Sequence, residues 1–246
     1  MNSTNNISAR AAFDHAKKMF YKSFIGDFVK KFGPGERAHQ ECMAYVDSLK
    51  LSQNEIRTEV TLSITANQFT FGVTTQQYST GATSVNATEQ RLNLQDSLCV
   101  NEYGFFIAKP ASATAVNFSL DTYANPNTYS TANAAGALNG TLYSNGQFKL
   151  TCNNDILVPG RGLYNHKYVP QTQGGVGITA QTIFPLDQQR GAEDGFVTAE
   201  PNFVLVGSKN NVPQIVLPGA LAAVETNMRA VLIFRGILAQ NSTVVS

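Results

Sequence analysis

The sequence predicts a mainly β protein preceded by an N-terminal helical arm. Three observations predict it. Apolar residues recur at helical spacing up to about residue 50 and at alternating spacing after residue 54. Only 14% of the 246 residues are charged, against about 25% in an ordinary soluble domain. Polarity comes instead from Asn, Gln, Ser, Thr and Gly, which suit turns and hydroxyl-faced strands.

The arm takes residues 1–52. Ala11 to Phe32 reads as one helix, broken by Gly33-Pro34-Gly35, and a second helix runs over 36–50. Glu36 at its start and Lys50 at its end suit the helix dipole. Within KKMFYKSFIGDFVKKF (17–32), Phe20, Phe24, Phe28 and Phe32 form a drifting i, i+4 stripe. Lys17 and Lys31 fall inside that stripe, where their stems must snorkel past apolar contacts. Three roles compete for it: packing on the protein's own β-sheet, contact with lipid or another subunit, and binding of nucleic acid. Arg10 and Arg37 are the only arginines of the arm, which weakens bidentate recognition of phosphate. The net charge of +1 creates no global field.

The β body follows. In EVTLSITA, Val60, Leu62 and Ile64 alternate with Thr61, Ser63 and Thr65. Phe69, Phe71 and Val73 alternate on odd positions, so a turn or bulge at 66–68 must exchange the faces. Further strands are expected over Tyr103–Lys109, Val116–Tyr123, Phe203–Val206, Gln214–Leu217 and Met228–Ala239. Asn145-Gly146 between apolar alternations predicts a β-hairpin. In the last strand Ala230, Leu232, Phe234 and Leu238 share one face while Val231, Ile233 and Ile237 share the other. Apolar residues on both faces predict a central strand, or one covered by a neighbouring subunit. The expected fold is a jelly-roll β-sandwich: two jelly rolls in tandem, over 53–145 and 146–246, or a single roll with long loops.

Nothing in the sequence predicts an enzyme. His15, His39 and His166 are scattered, and no metalloprotease, nucleophile-elbow or phosphate-loop motif occurs. Gly175-Val-Gly177-Ile-Thr-Ala180 matches a dinucleotide fingerprint in letters only, with no strand–helix context. Glu193 and Asp194 are adjacent and read as a solvated turn. Cys42, Cys99 and Cys152 read as buried free thiols in a chain made in a reducing compartment. No cofactor or metal is expected.

The segments LNGTLYSNGQFKLTCNNDILVPG (138–160), YNHKYVPQTQ (164–173), PNFVLVGSKNNVPQIVLP (201–218) and RAVLIFRGILAQN (229–241) resemble in style the capsid proteins of bacteriophages. In size and layout the chain is similar to the major capsid proteins of icosahedral, internal-membrane phages. That resemblance implies a viral structural protein without catalysis, made in the host cytoplasm and located in the virion. It implies trimers that self-assemble laterally into an icosahedral shell, with other virion proteins and internal membrane lipid as partners. The arm would then face the membrane or the interior. Lys17, Lys18, Lys22, Lys30 and Lys31 would meet headgroups while Phe20, Phe24 and Phe28 contact acyl chains or subunits. Direct nucleic-acid binding is not expected. The alternative is a phage decoration, spike or receptor-binding protein; carbohydrate enzymes are disfavoured by the absence of Trp.

Overall fold

The computed structural model describes residues 3–73, 92–113, 115, 118–126, 128–129, 133–153, 155–168 and 195–242, with side chains from Arg10 onward. Two helices, α1 (Ser3–Phe32) and α2 (Glu36–Ser48), precede eight strands. These are β1 (Lys50–Thr61), β2 (Gln68–Thr70), β3 (Ser97–Ala108), β4 (Gln147–Cys152), β5 (Asp155–Gly162), β6 (Phe196–Val206), β7 (Asn211–Val216) and β8 (Arg229–Gln240). Gly33 at φ 81° and Gly35 at φ 153° turn the chain between the helices, in backbone that other residues avoid.

The strands form two antiparallel four-stranded sheets, ordered β1-β8-β3-β6 and β2-β7-β4-β5. Their pairing is nested: β1 with β8, β2 with β7, β3 with β6 and β4 with β5, each antiparallel. Pairing of β3 with β8 and of β4 with β7 completes the sheets. Each sheet therefore draws strands from both sides of position 145. The eight described strands pack as two sheets around one core.

The inward faces meet in one core that contains Ile56, Tyr103, Phe105, Phe148, Leu150, Phe203, Ile215, Leu232 and Phe234. β8 lies between β1 and β3 with apolar residues on both faces. Gly236 on β8 has a local reason. β3 shifts register between Val100 and Glu102, and a Cβ on Gly236 would stand 1.9 Å from the Cys99 carbonyl oxygen.

Several expected elements differ. β1 begins at Lys50, directly after α2 and well before the alternation at Val60. Ile64 lies beyond it and is 54% exposed. Asn145-Gly146 makes no hairpin: Ala134–Ala137 is α-helical and Leu138–Tyr143 continues as a π-helix, with Leu138 and Leu142 buried. Gly146 donates to the Leu142 carbonyl, whose oxygen would stand 2.2 Å from a Cβ at this position, so only glycine fits there. The hairpin lies one strand later, where Cys152 faces Asp155 and Asn153 takes φ 52°. The described part of 116–123 is no strand; Asp121 makes only an isolated bridge to Ile107.

The register gives the sandwich two unlike ends. The connections 62–67 and 217–228 share one end, at which β3 also finishes, and the arm enters at the other, where Lys50 faces Gln240. Gly236→Ala should lower the urea midpoint of unfolding by the equivalent of about 1–3 kcal/mol, since the crowding atom is backbone.

Candidate interaction surface on the helical arm

α1 is held by one side of itself. Ala16, Phe20, Phe24 and Phe28 recur at i, i+4 and are 0%, 0%, 3% and 7% exposed. They pack with Ala38, Cys42 and Val46 of α2 and with Cys99, Val204, Val206, Ile237 and Ala239. The last five lie on β3, β6 and β8, on the sheet face turned away from the core. Phe20 and Phe24 stack at 6.0 Å between ring centroids, and Phe28 meets Tyr45 at 5.5 Å. Of the three roles read from the sequence, Phe20, Phe24 and Phe28 fill the first. Burial at about 1.5–3 kcal/mol per large side chain makes this row the main tie between arm and body.

The lysines take the other sides. Lys18, Lys22, Gly26 and Lys30 are exposed, and their row is offset from the buried one by two residues, about 200° around the helix. Lys17, partly buried, reaches Asp47 of α2 at 2.9 Å, and Lys30 reaches Asp27 at 3.3 Å. Lys31 is exposed and lies 5.8 Å from the Phe32 ring centroid, with Arg37 at 5.3 Å on the same ring. Lys18 and Lys22 have no carboxylate partner among the described residues. α1 holds six basic residues against two acidic ones, and α2 one against three.

Between the helices runs a groove of about 460 Å³. His15, Lys17, Lys18 and Lys22 stand along it with Met19, Tyr21, Met43, Val46 and Asp47. Met43 is 58% exposed there. His15 thus borders the groove, while His39 contacts the Tyr21 hydroxyl through Nδ1.

A second hollow, about 570 Å³, crosses the same sheet beside Ala12. Glu55 and Glu102 flank Arg235 on neighbouring strands. Arg235 donates to Glu55 at 2.7 Å and stacks 3.7 Å above Phe196. Farther toward the loop end, Arg57 and Arg229 bracket Glu59 at 2.7 and 3.2 Å. Phe118 caps both guanidiniums, at 4.7 and 5.2 Å.

His166 is 1% exposed, and its Nδ1–H donates to the Gly195 carbonyl at 2.9 Å. Burial holds it down to about 4, the hydrogen bond to Gly195 offsetting part of that. Burial also raises the Cys99 thiol to about 11 and lifts Cys42 and Cys152, so none is poised as a nucleophile. Gly175, Gly177, Glu193 and Asp194 lie outside the described residues. Among the described residues no helix is long and apolar enough to cross a membrane.

Compared with known proteins, the chain matches no family model, no curated protein and no solved structure. The sequence signal for the arm surface was the two-residue offset between phenylalanine and lysine rows. The Arg57–Glu59–Arg229 cluster had none, because Arg229 and the capping Phe118 are distant in sequence from Arg57 and Glu59.

Phe24→Ala should destabilise the protein by about 3–5 kcal/mol in urea unfolding, whereas Lys18→Gln with Lys22→Gln should stay within about 0.5 kcal/mol. His166 supplies a pH dependence. Its folded value lies below the unfolded 6.5, so the unfolded chain binds the proton more readily. Stability is then lost as pH falls from 6.5 towards 4, by about 3 kcal/mol in full. Asp121, raised by burial, acts in the opposite sense. The His166 share is therefore isolated by the flatter stability–pH curve expected of His166→Gln.

Proposed function

We propose that this chain is a major capsid subunit of a virus: a single jelly roll whose copies associate, as trimers, into an icosahedral shell, with the arm side turned to the interior. The observation that carries this reading is the nested pairing of eight strands in two four-stranded sheets. That winding supports a jelly roll, an architecture common to viral capsid proteins, lectins and cupins. Among these the capsid reading is favoured by what fills the sandwich. Tyr103, Phe148, Phe203 and Phe234 contact one another between the sheets, so aromatic rings fill the interior where a ligand-binding sandwich needs a cavity.

The edges say how copies would meet. β2 has three residues, β5 carries Pro159 and two register shifts, β6 carries Pro201, and β1 presents the exposed carboxylate of Glu55. Each of these discourages strand-to-strand continuation. Lateral association therefore runs through loops and sheet faces, where amide and hydroxyl groups suit polar contacts between copies. A basic, helix-covered side and a loop-bearing end give the subunit the polarity that a closed shell needs.

Sedimentation velocity of the expressed full-length chain, with electron micrographs of the same fractions, tests the reading. Closed particles, or trimers that convert into them, are expected. A fixed small oligomer under every condition, absent from any particle, would overturn it in favour of a decoration or receptor-binding protein.

A further inference from the structure

We propose that the hollow beside Ala12, on the outward face of the β1-β8-β3-β6 sheet, is a binding site for a linear di- or polyamine, one ammonium on Glu102 and the methylenes beside Ala12 and Ile237. The third layer leaves this stretch of sheet bare. The arm covers Ile237 and Ala239, while Phe118 and Leu120 cover Val231 and Ile233. The row Glu55–Arg235–Glu102 lies between the two covers. The hollow's volume, about 570 Å³, falls in the usual range for small-molecule sites.

The fold builds this row. Plain alternation would put Cys99 and Tyr103 on one face, yet Cys99 faces the arm and Tyr103 the core. The register shift between Val100 and Glu102 takes up the extra residue and turns Glu102 outward, as bulges commonly re-aim a side chain. Register then sets Glu55, Arg235 and Glu102 side by side on three neighbouring strands. Two strand spacings place the Cα atoms of Glu55 and Glu102 about 10 Å apart.

Charge selects the ligand. Arg235 is committed: its Nε donates to Glu55 at 2.7 Å and its guanidinium lies on the Phe196 ring. Glu102 is exposed and has no cationic partner among the described residues. The hollow thus holds Arg235 against both Glu55 and Glu102, and its other polar side chains, Gln53, Asn54 and Asn101, are uncharged amides. A cation answers the excess carboxylate. A metal ion does not fit, because no group of three His, Cys, Asp or Glu able to hold one occurs among the described residues. A primary ammonium needs only acceptors, which Glu102 and the amide carbonyls supply. Ala12 and Ile237 add apolar lining for an alkyl chain. The Glu55 oxygen not bonded to Arg235 takes a second ammonium across the row. The choice of a free amine over a lysine of another protein rests on the reading of this side as the shell interior, where packaged nucleic acid concentrates counter-cations.

Isothermal titration calorimetry of the full-length protein with putrescine tests the site. One putrescine per chain is expected to bind, more weakly as salt rises. Glu102→Gln, at an exposed position, should weaken it about ten-fold, the loss of one charge-assisted hydrogen bond. Glu41→Gln, which removes an exposed carboxylate of α2, should change nothing. Arg235→Gln leaves Glu55 without its partner and should tighten binding. Unchanged binding by Glu102→Gln, an equal loss in Glu41→Gln, displacement of putrescine by magnesium at matched charge, or tighter binding of Nα-acetyllysine amide than of putrescine would each overturn the site. Particle formation by Glu102→Gln is scored separately. Amine binding absent from a protein that still assembles sinks this inference and leaves the capsid reading standing.

Discussion

Strand β8 is apolar on both faces, and the rest of the molecule is arranged around covering it. Its inward face, Ala230, Leu232, Phe234 and Leu238, joins the core between the sheets. Its outward face is covered twice. Ile237 and Ala239 lie under the arm, and Val231 and Ile233 lie under Phe118 and Leu120. A sandwich whose sheet is buried on both sides needs a third layer, and here the chain supplies it from its own N-terminus. The arm is thus part of the folded body, joined to β1 with a single residue, Leu49, between helix and strand.

That constraint explains why the arm's composition is so uneven. One helix must offer phenylalanine to a sheet, anchor to α2, and remain soluble on what is left. The i, i+4 rows divide these tasks, with lysine opposite phenylalanine. Apolar residues on α1's remaining sides, such as Met19 and Ile25, pack at the margins of the same cluster. The polar side of the sheet follows a similar logic. Its arginines are paired across strands with glutamates and stacked on aromatic rings, so charge is tolerated next to an apolar cover.

Much of this was legible in the residues. The helical period, the Gly-Pro-Gly break and the two-faced last strand each pointed to the element found. What could not be read had physical causes. The middle of β1 looks polar because Glu55 and Arg57 face outward, and their partner strand lies some 180 residues away. β5 was hidden by Pro159, Gly160 and Gly162, residues that mark an edge strand as readily as a loop. Asn145-Gly146 misled because the same dipeptide that turns a hairpin also ends a helix; Leu138 and Leu142, four apart and both buried, carried the helical signal. The lysine set was visible in sequence, but which lysines remain without a carboxylate depended on Asp47, thirty residues from Lys17.

Amide hydrogen exchange of the intact chain, read residue by residue, tests the central claim that the arm is a built-in third layer. The account predicts that amides from Phe20 to Phe28 are protected together with those of β8, since one packing holds both. Exchange of α1 at the rate of an open chain while β8 stays protected would contradict it, and would make the phenylalanine row available to an external surface after all.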